Sequence, residues 1–211
     1  MIHNMIAIID YDAGNIKSVE KAVISLGETP IVTRDPSVIR SADHVILPGV
    51  GSFGDAMGKL EAYGLVDVVK AVVSAGTPFL GICLGQQLLF ESSEESPGVP
   101  GLGILKGTCR RFRADAGLKI PQIGWNDLKL SHDGRLFRGI ADGSYVYFVH
   151  TYYCHAEDRS VVTASCTYAD EADASVECGN VFACQFHPEK SGRVGLKILS
   201  NFLAVGKEAV C

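Results

Sequence analysis

At 211 residues the chain is long enough to bury a sizeable core without staples and too short to hold a second full domain, so residues 1–211 are read as one domain. Hydrophobic residues make up 47% and charged residues 20%, with 23 glycines and 8 prolines, which excludes a disordered or fibrous chain. A net charge of -5 argues against nucleic acid, and nothing approaches the roughly 18 apolar residues of a membrane span.

Met5 to Ile9 reads as a fully buried strand. Ile16, Val19, Ala22, Val23 and Leu26 then fall at helical spacing, and Gly27 caps the end. Pro30 to Thr33 and His44 to Leu47 are two further strands. Leu65 to Val73 is an apolar-rich helix leading into a strand from Pro78 to Ile82. Such alternation indicates a parallel sheet with helices on both faces. Ligands of such sheets sit beyond the C-terminal strand ends, where Asp10, Pro48, Cys83 and His187 fall. After Glu91 the character changes to a Ser/Gly/Pro-rich loop, Ser92 to Gly103, and then to short strands with an antiparallel pattern. Ala174 to Glu177 and Val181 to Gln185 flank Cys178-Gly179-Asn180 as a hairpin, and an amphipathic helix from about Arg193 to Val205 closes the chain.

Gly81-Ile82-Cys83-Leu84-Gly85 places a cysteine where the strand gives way to a helix, and it reads as a nucleophile elbow. The two glycines leave room for strand and helix to approach closely. At a helix N-terminus the unpaired N–H groups favour a thiolate. Gln185-Phe186-His187-Pro188-Glu189 offers a base and an acid at the end of another strand, which completes a Cys83, His187, Glu189 triad. Structural alternatives are a buried cysteine, a strand-end histidine and a surface carboxylate.

Pro48-Gly49-Val50-Gly51-Ser52-Phe53-Gly54 contains the Gly-x-Gly-x-x-Gly of dinucleotide sites, but the next strand runs into Cys83 instead of ending on an acidic residue about 20 positions on. The other use of the loop is to present N–H groups of Gly49, Val50 and Gly51 to an oxyanion, with the Leu84 amide as a further donor. A plain turn is the third reading. Tyr147 to Tyr153 is an aromatic strand, either core or substrate-facing.

Seven cysteines without paired spacing do not make a disulfide framework and point to a reducing cytoplasm. The N-terminus, Met1 to Asp10, lacks the basic start and apolar length of a signal peptide. There is no Cys-x-x-Cys, and His150, Cys154 and His155 lack a matching second pair, so no metal is expected. Arg110, Arg111 and Arg113 alternate along a strand as a solvated face or partner contact.

The Cys83 and His187 segments resemble the two signatures of the class I, triad-type glutamine amidotransferases, over essentially the whole chain. Asp10 to Asn15, Pro48 to Asp55, Gly124-Trp125-Asn126, Val149 to Tyr153 and Lys190 are similar to the branch that forms the glutaminase subunits of imidazole glycerol phosphate synthases, with Ile123 where that branch often has Met. The resemblance implies a three-layer α/β fold with a mostly parallel central sheet, helices on both faces and an antiparallel C-terminal portion. It implies that Cys83 attacks the carboxamide of glutamine, that His187 and Glu189 manage the protons, and that Gln87, His150, Thr151 and Tyr152 hold the substrate. It also implies a partner, a (β/α)8 barrel cyclase that consumes the ammonia in histidine biosynthesis, with Asn15, Trp125 and Lys190 at the interface. Trp125 reads equally as a core tryptophan. No cofactor is implied. A glutaminase subunit of another class I amidotransferase, a stand-alone Cys-His hydrolase such as a peptidase or gamma-glutamyl hydrolase, and a dinucleotide-binding module remain as alternatives.

Overall fold

A computed structural model describes residues 4–114, 117–131 and 134–206. The chain opens with β1 (Ile6–Ile9), α1 (Ile16–Ser25), β2 (Pro30–Thr33), α2 (Pro36–Ser41) and β3 (His44–Leu47). It continues through α3 (Phe53–Ala62), α4 (Leu65–Ser74), β4 (Phe79–Ile82) and α5 (Leu84–Leu88). Short strands follow: β5 (Ser92–Ser93), β6 (Gly107–Arg111), β7 (Gln122–Asp127), β8 (Lys129–Leu130), β9 (Tyr145–His150) and β10 (Tyr152–Ala156). The last elements are β11 (Val162–Thr167), β12 (Glu171–Cys178), β13 (Val181–Cys184) and α6 (Gly192–Leu203).

Eight strands form the central sheet in the order β2-β1-β3-β4-β13-β12-β11-β8. Pairing is parallel from β2 to β13 and antiparallel from β13 onward. The alternating pleat of β1 shows why both faces are covered. Ala7 and Ile9 enter the core that contains Met57, Leu60, Val68 and Val72 of α3 and α4, while Ile6 and Ile8 enter the one that contains Val19, Val23, Ile198 and Phe202 of α1 and α6. The three-layer architecture expected from the sequence is therefore present.

Several elements depart from that reading. α2 and α3 were not anticipated, although both carry N-terminal caps. Asp35 accepts from the Ser37 amide ahead of Pro36, and Ser52 accepts from the Asp55 amide. The loop after Glu91 contains β5, which pairs parallel with β6. β6 ends at Arg111, so Arg113 lies outside the strand, where it pairs with Asp170 at 2.5 Å. The hairpin at Gly179-Asn180 forms, yet its second strand enters the middle of the sheet beside β4, with Cys184 opposite Ile82. That insertion carries the Gln185 to Glu189 segment to the end of the strand that presents Cys83. No described helix is long and apolar enough to cross a membrane. Of the cysteines, Cys83, Cys109, Cys154, Cys166 and Cys184 are buried free thiols, and Cys178 is disulfide-bonded.

Candidate active site

Cys83 makes a sharp turn between β4 and α5. Its φ of 55° and ψ of -108° lie where a side chain other than glycine is uncommon, a conformation held in place by the elements on either side. The flanking glycines make the turn sterically feasible. A Cβ on Gly81 would come 2.7 Å from the Gly85 carbonyl oxygen, and one on Gly85 would come 1.9 Å from the Leu47 carbonyl oxygen. Strand, helix and the neighbouring β3 thus close to backbone contact, and Cys83 is left as the projecting side chain.

His187 follows β13 and is wholly buried. Its Nδ1 lies 2.7 Å from Glu189 Oε1, and the same oxygen accepts from Asn15 Nδ2 at 2.6 Å. With the carboxylate on Nδ1, that nitrogen carries the proton. Nε2 has no conventional hydrogen-bond partner among the described residues and is left to the Cys83 sulfur. Burial opposes protonation of the ring, but the Cys83 sulfur and then the Glu189 carboxylate outweigh it and raise the pKa to about 9.

A cavity of about 340 Å³ opens over Cys83. It is lined by Val50, Gly51 and Leu84 on one side and by Gln87, His150, Thr151 and Tyr152 on the other, so most of the residues singled out as oxyanion or substrate groups meet there. Glu95, Pro121 and Val149 also line it and were not anticipated. Glu95 is the lone charged side chain of the lining, and its Oε2 accepts from the Phe53 amide at 2.7 Å. A carboxylate that reaches the Phe53 amide from a loop 42 residues away leaves no local sequence pattern.

The oxyanion candidates are in a particular state. The Leu84 N–H donates to the Gly49 carbonyl at 3.3 Å and so is engaged within the protein. Tyr11 packs against the same loop: a Cβ on Gly49 would come 2.2 Å from its hydroxyl, which is buried and has no hydrogen-bond partner among the described residues. Burial, and then the nearby Cys83, hold the Tyr11 hydroxyl strongly to its neutral form.

His150 is buried between Phe112 and Phe148. Its Nδ1 donates to the Tyr152 carbonyl at 2.8 Å, and the Gln122 side-chain amide lies 3.1 Å from Nε2. Burial depresses its pKa to about 4, and nearby His187 pushes in the same direction, so the ring is neutral.

The three residues expected at an interface divide. Asn15 turns inward to Glu189. Trp125 is 55% exposed, which overturns the core alternative, and it packs edge-on against Tyr147, whose ring centroid lies 6.0 Å from Lys190 Nζ. Trp125 and Lys190 therefore share one outward face of the β7–β9 ribbon with Ile123 and Tyr145.

A cysteine on a strand-to-helix elbow, with a histidine and glutamate beyond the adjacent parallel strand, is the arrangement that nucleophilic attack on a carbonyl calls for. Solved structures of the same fold include a crystal structure of a glutamine amidotransferase, with a TM-score of 0.73 and 21% identity, covering 93% of this chain and 96% of that one. The PurLQS structure from Thermotoga maritima gives 0.74 and 23%, covering 96% and 98%. The family model for glutamine amidotransferase class-I matches residues 7–205. The chain is 48% identical over 205 residues to the imidazole glycerol phosphate synthase subunit HisH of Thermosynechococcus vestitus, covering 96% of this chain and 98% of that protein. It is 51% identical over 201 residues to the HisH subunit of Bacillus cereus strain G9842, covering 95% of each. The chain belongs to the class-I glutamine amidotransferase family, alongside these HisH subunits.

Proposed function

We propose that this chain, as one domain, is the glutaminase subunit of an imidazole glycerol phosphate synthase, with Cys83, His187 and Glu189 as its triad. The observation that carries the reading is the position of Cys83 in the cavity lining, backed by a buried His187 and Glu189, in a chain about half identical to HisH subunits.

The Cys83 sulfur attacks the side-chain carbonyl carbon of glutamine. The C–N bond breaks as His187 Nε2–H gives its proton to the departing nitrogen, which leaves as ammonia and a thioester remains. A ring with a pKa of about 9 holds that proton at neutral pH. Water then attacks the thioester, His187 takes up its proton, and glutamate leaves as the sulfur is regenerated. Glu189 fixes the ring's orientation through Nδ1, and Asn15 fixes Glu189.

Gln87, His150, Thr151 and Tyr152 form the wall against which the amino-acid end of the substrate rests, and Glu95 supplies the negative charge that its ammonium group requires. Developing negative charge on the carbonyl oxygen is stabilised by the Gly49-Val50-Gly51 loop and the Leu84 amide. Because Leu84 N–H is bonded to Gly49, a shift of the loop is needed to free it. One such donor lowers the barrier by roughly 3 kcal/mol, so the position of this loop sets the turnover.

The ammonia passes to a (β/α)8 barrel cyclase that makes imidazole glycerol phosphate and an aminoimidazole carboxamide ribonucleotide. Its docking surface is the exposed face of Trp125, Tyr145 and Ile123 with Lys190, and the tryptophan and tyrosine are residue types that dominate binding energy at interfaces. This face borders the cavity, since Val149 lines the cavity and pairs across the ribbon with Ile123.

Replacing Cys83 by alanine removes the nucleophile without a large loss of packing. Glutamate release should fall to background while thermal stability is retained, and a Cys83→Ala protein that still turns over glutamine would refute the assignment.

A further inference from the structure

The mechanism above gives no role to Gln185, which joins the substrate-wall residue Gln87 to the nucleophile in a run of buried amides. Gln185 is wholly buried, and its Nε2 lies 3.7 Å from Cys83 Sγ. Its Oε1 accepts from Gln87 Nε2 at 3.0 Å, and Gln87 Nε2 also donates to the Tyr152 carbonyl at 3.0 Å. The direction of this chain is fixed at its far end. A backbone carbonyl can only accept, so Gln87 must turn its nitrogen to Tyr152, and that nitrogen's second hydrogen must meet the oxygen of Gln185. The amide group of Gln185 therefore has its nitrogen toward the sulfur. The usual ambiguity between amide nitrogen and oxygen does not arise.

Resting on the reading of Cys83 as the nucleophile, we propose that Gln185 is a positioning residue whose N–H donates to the Cys83 sulfur, stabilising the thiolate and aiming it at the cavity. A donor to the charged form of an acid favours that form, and the preference grows where water is excluded. Cys83 is 6% exposed and Gln87 5%, so the run lies in such surroundings. Gln87 belongs both to this run and to the cavity lining, so its amide can meet a donor on whatever occupies the cavity. A donor placed there polarises the Gln87 amide and, through it, the Gln185 N–H. Substrate binding and nucleophile activation are thereby joined through two side chains.

Other titratable groups face Cys83 and set the background for the test. They are His187 with Glu189 behind it, Tyr11 beyond β1, Cys184 on β13, and Glu95 and His150 in the cavity lining. None of them is altered by replacing Gln185 with methionine, which keeps the volume and removes the donor.

The experiment is the pH profile of Cys83 alkylation by iodoacetamide in the full chain without glutamine, located by peptide mapping and paired with glutamine turnover of the same samples. In Gln185→Met the pH of half-maximal alkylation should rise by about one unit, a tenfold loss of thiolate below it, with kcat falling about as much and KM little changed. A purely structural role would lower the melting temperature and leave that midpoint in place, and an unchanged midpoint in a folded Gln185→Met overturns the proposal. Should that variant fail to fold, Gln87→Met decides. It releases the orientation of Gln185 and should raise the midpoint in the same direction, and no change there overturns the proposal equally. Wild-type protein alkylated at Cys83 that still hydrolyses glutamine would overturn the nucleophile reading itself and the proposal with it.

Discussion

His150 shows how burial at a single residue becomes a property of the whole molecule. The neutral ring sits between two phenylalanines with its pKa lowered from 6.5 to about 4. In the unfolded chain it takes up a proton first as the pH falls, so its contribution to stability is complete above pH 6.5 and is lost on going down to pH 4. At roughly 1.4 kcal/mol per unit, the loss over that window is about 3 kcal/mol. Chemical denaturation at several pH values should show wild type losing that much more stability than His150→Asn between pH 6.5 and 4, whereas parallel curves would mean that the buried ring is not what titrates. His150 was picked out as a substrate-wall residue only through the family resemblance, whereas Cys83, His187 and Glu189 were legible from their own motifs, the glycine-flanked elbow and the His-Pro-Glu at a strand end. Glu95 and the positioning of Gln185 were not legible, since each acquires its partner from a loop or strand remote in sequence.

Among elements, the strand-to-helix elbow was the most legible feature, because glycine on both sides of a cysteine has a steric reason that pattern alone reveals. The structure supplies that reason in distances. A Cβ added at Gly85 would meet the Leu47 carbonyl oxygen at 1.9 Å, and backbone in the centre of a sheet has little room to yield. Gly85→Ala should lower unfolding free energy by about 3 kcal/mol, at the upper end of overpacking costs, or prevent soluble expression. Urea denaturation checks this, and a shift below about 1 kcal/mol would contradict the close approach. Helices α2 and α3 were missed for a different reason. α2 is only six residues long, and the glycine-rich run that leads into α3 has the look of a loop, although Asp35-Pro36 and Ser52-x-x-Asp55 are both readable start signals.

On the scale of the whole molecule, alternation of strands and helices made the parallel half of the sheet legible, and the hairpin at Gly179-Asn180 was legible too. That β13 would lie beside β4 was not, because strand order follows from long-range packing and leaves no local trace. Yet this neighbour relation is what makes a site from two segments about a hundred residues apart, joining Cys83 to His187. The same folding leaves the outer face of the β7–β9 ribbon uncovered, with Trp125 in the open beside the cavity lining. On the proposed mechanism, a glutaminase whose Leu84 amide is engaged with Gly49 should be slow by itself. The most direct test of this account is the rate of glutamate release from glutamine by the purified chain, alone and then with the cyclase subunit and its nucleotide ligand. Slow release alone and strong stimulation in the complex is the predicted result. Full activity alone, unchanged by the cyclase, would contradict the assignment of this glutaminase to that synthase.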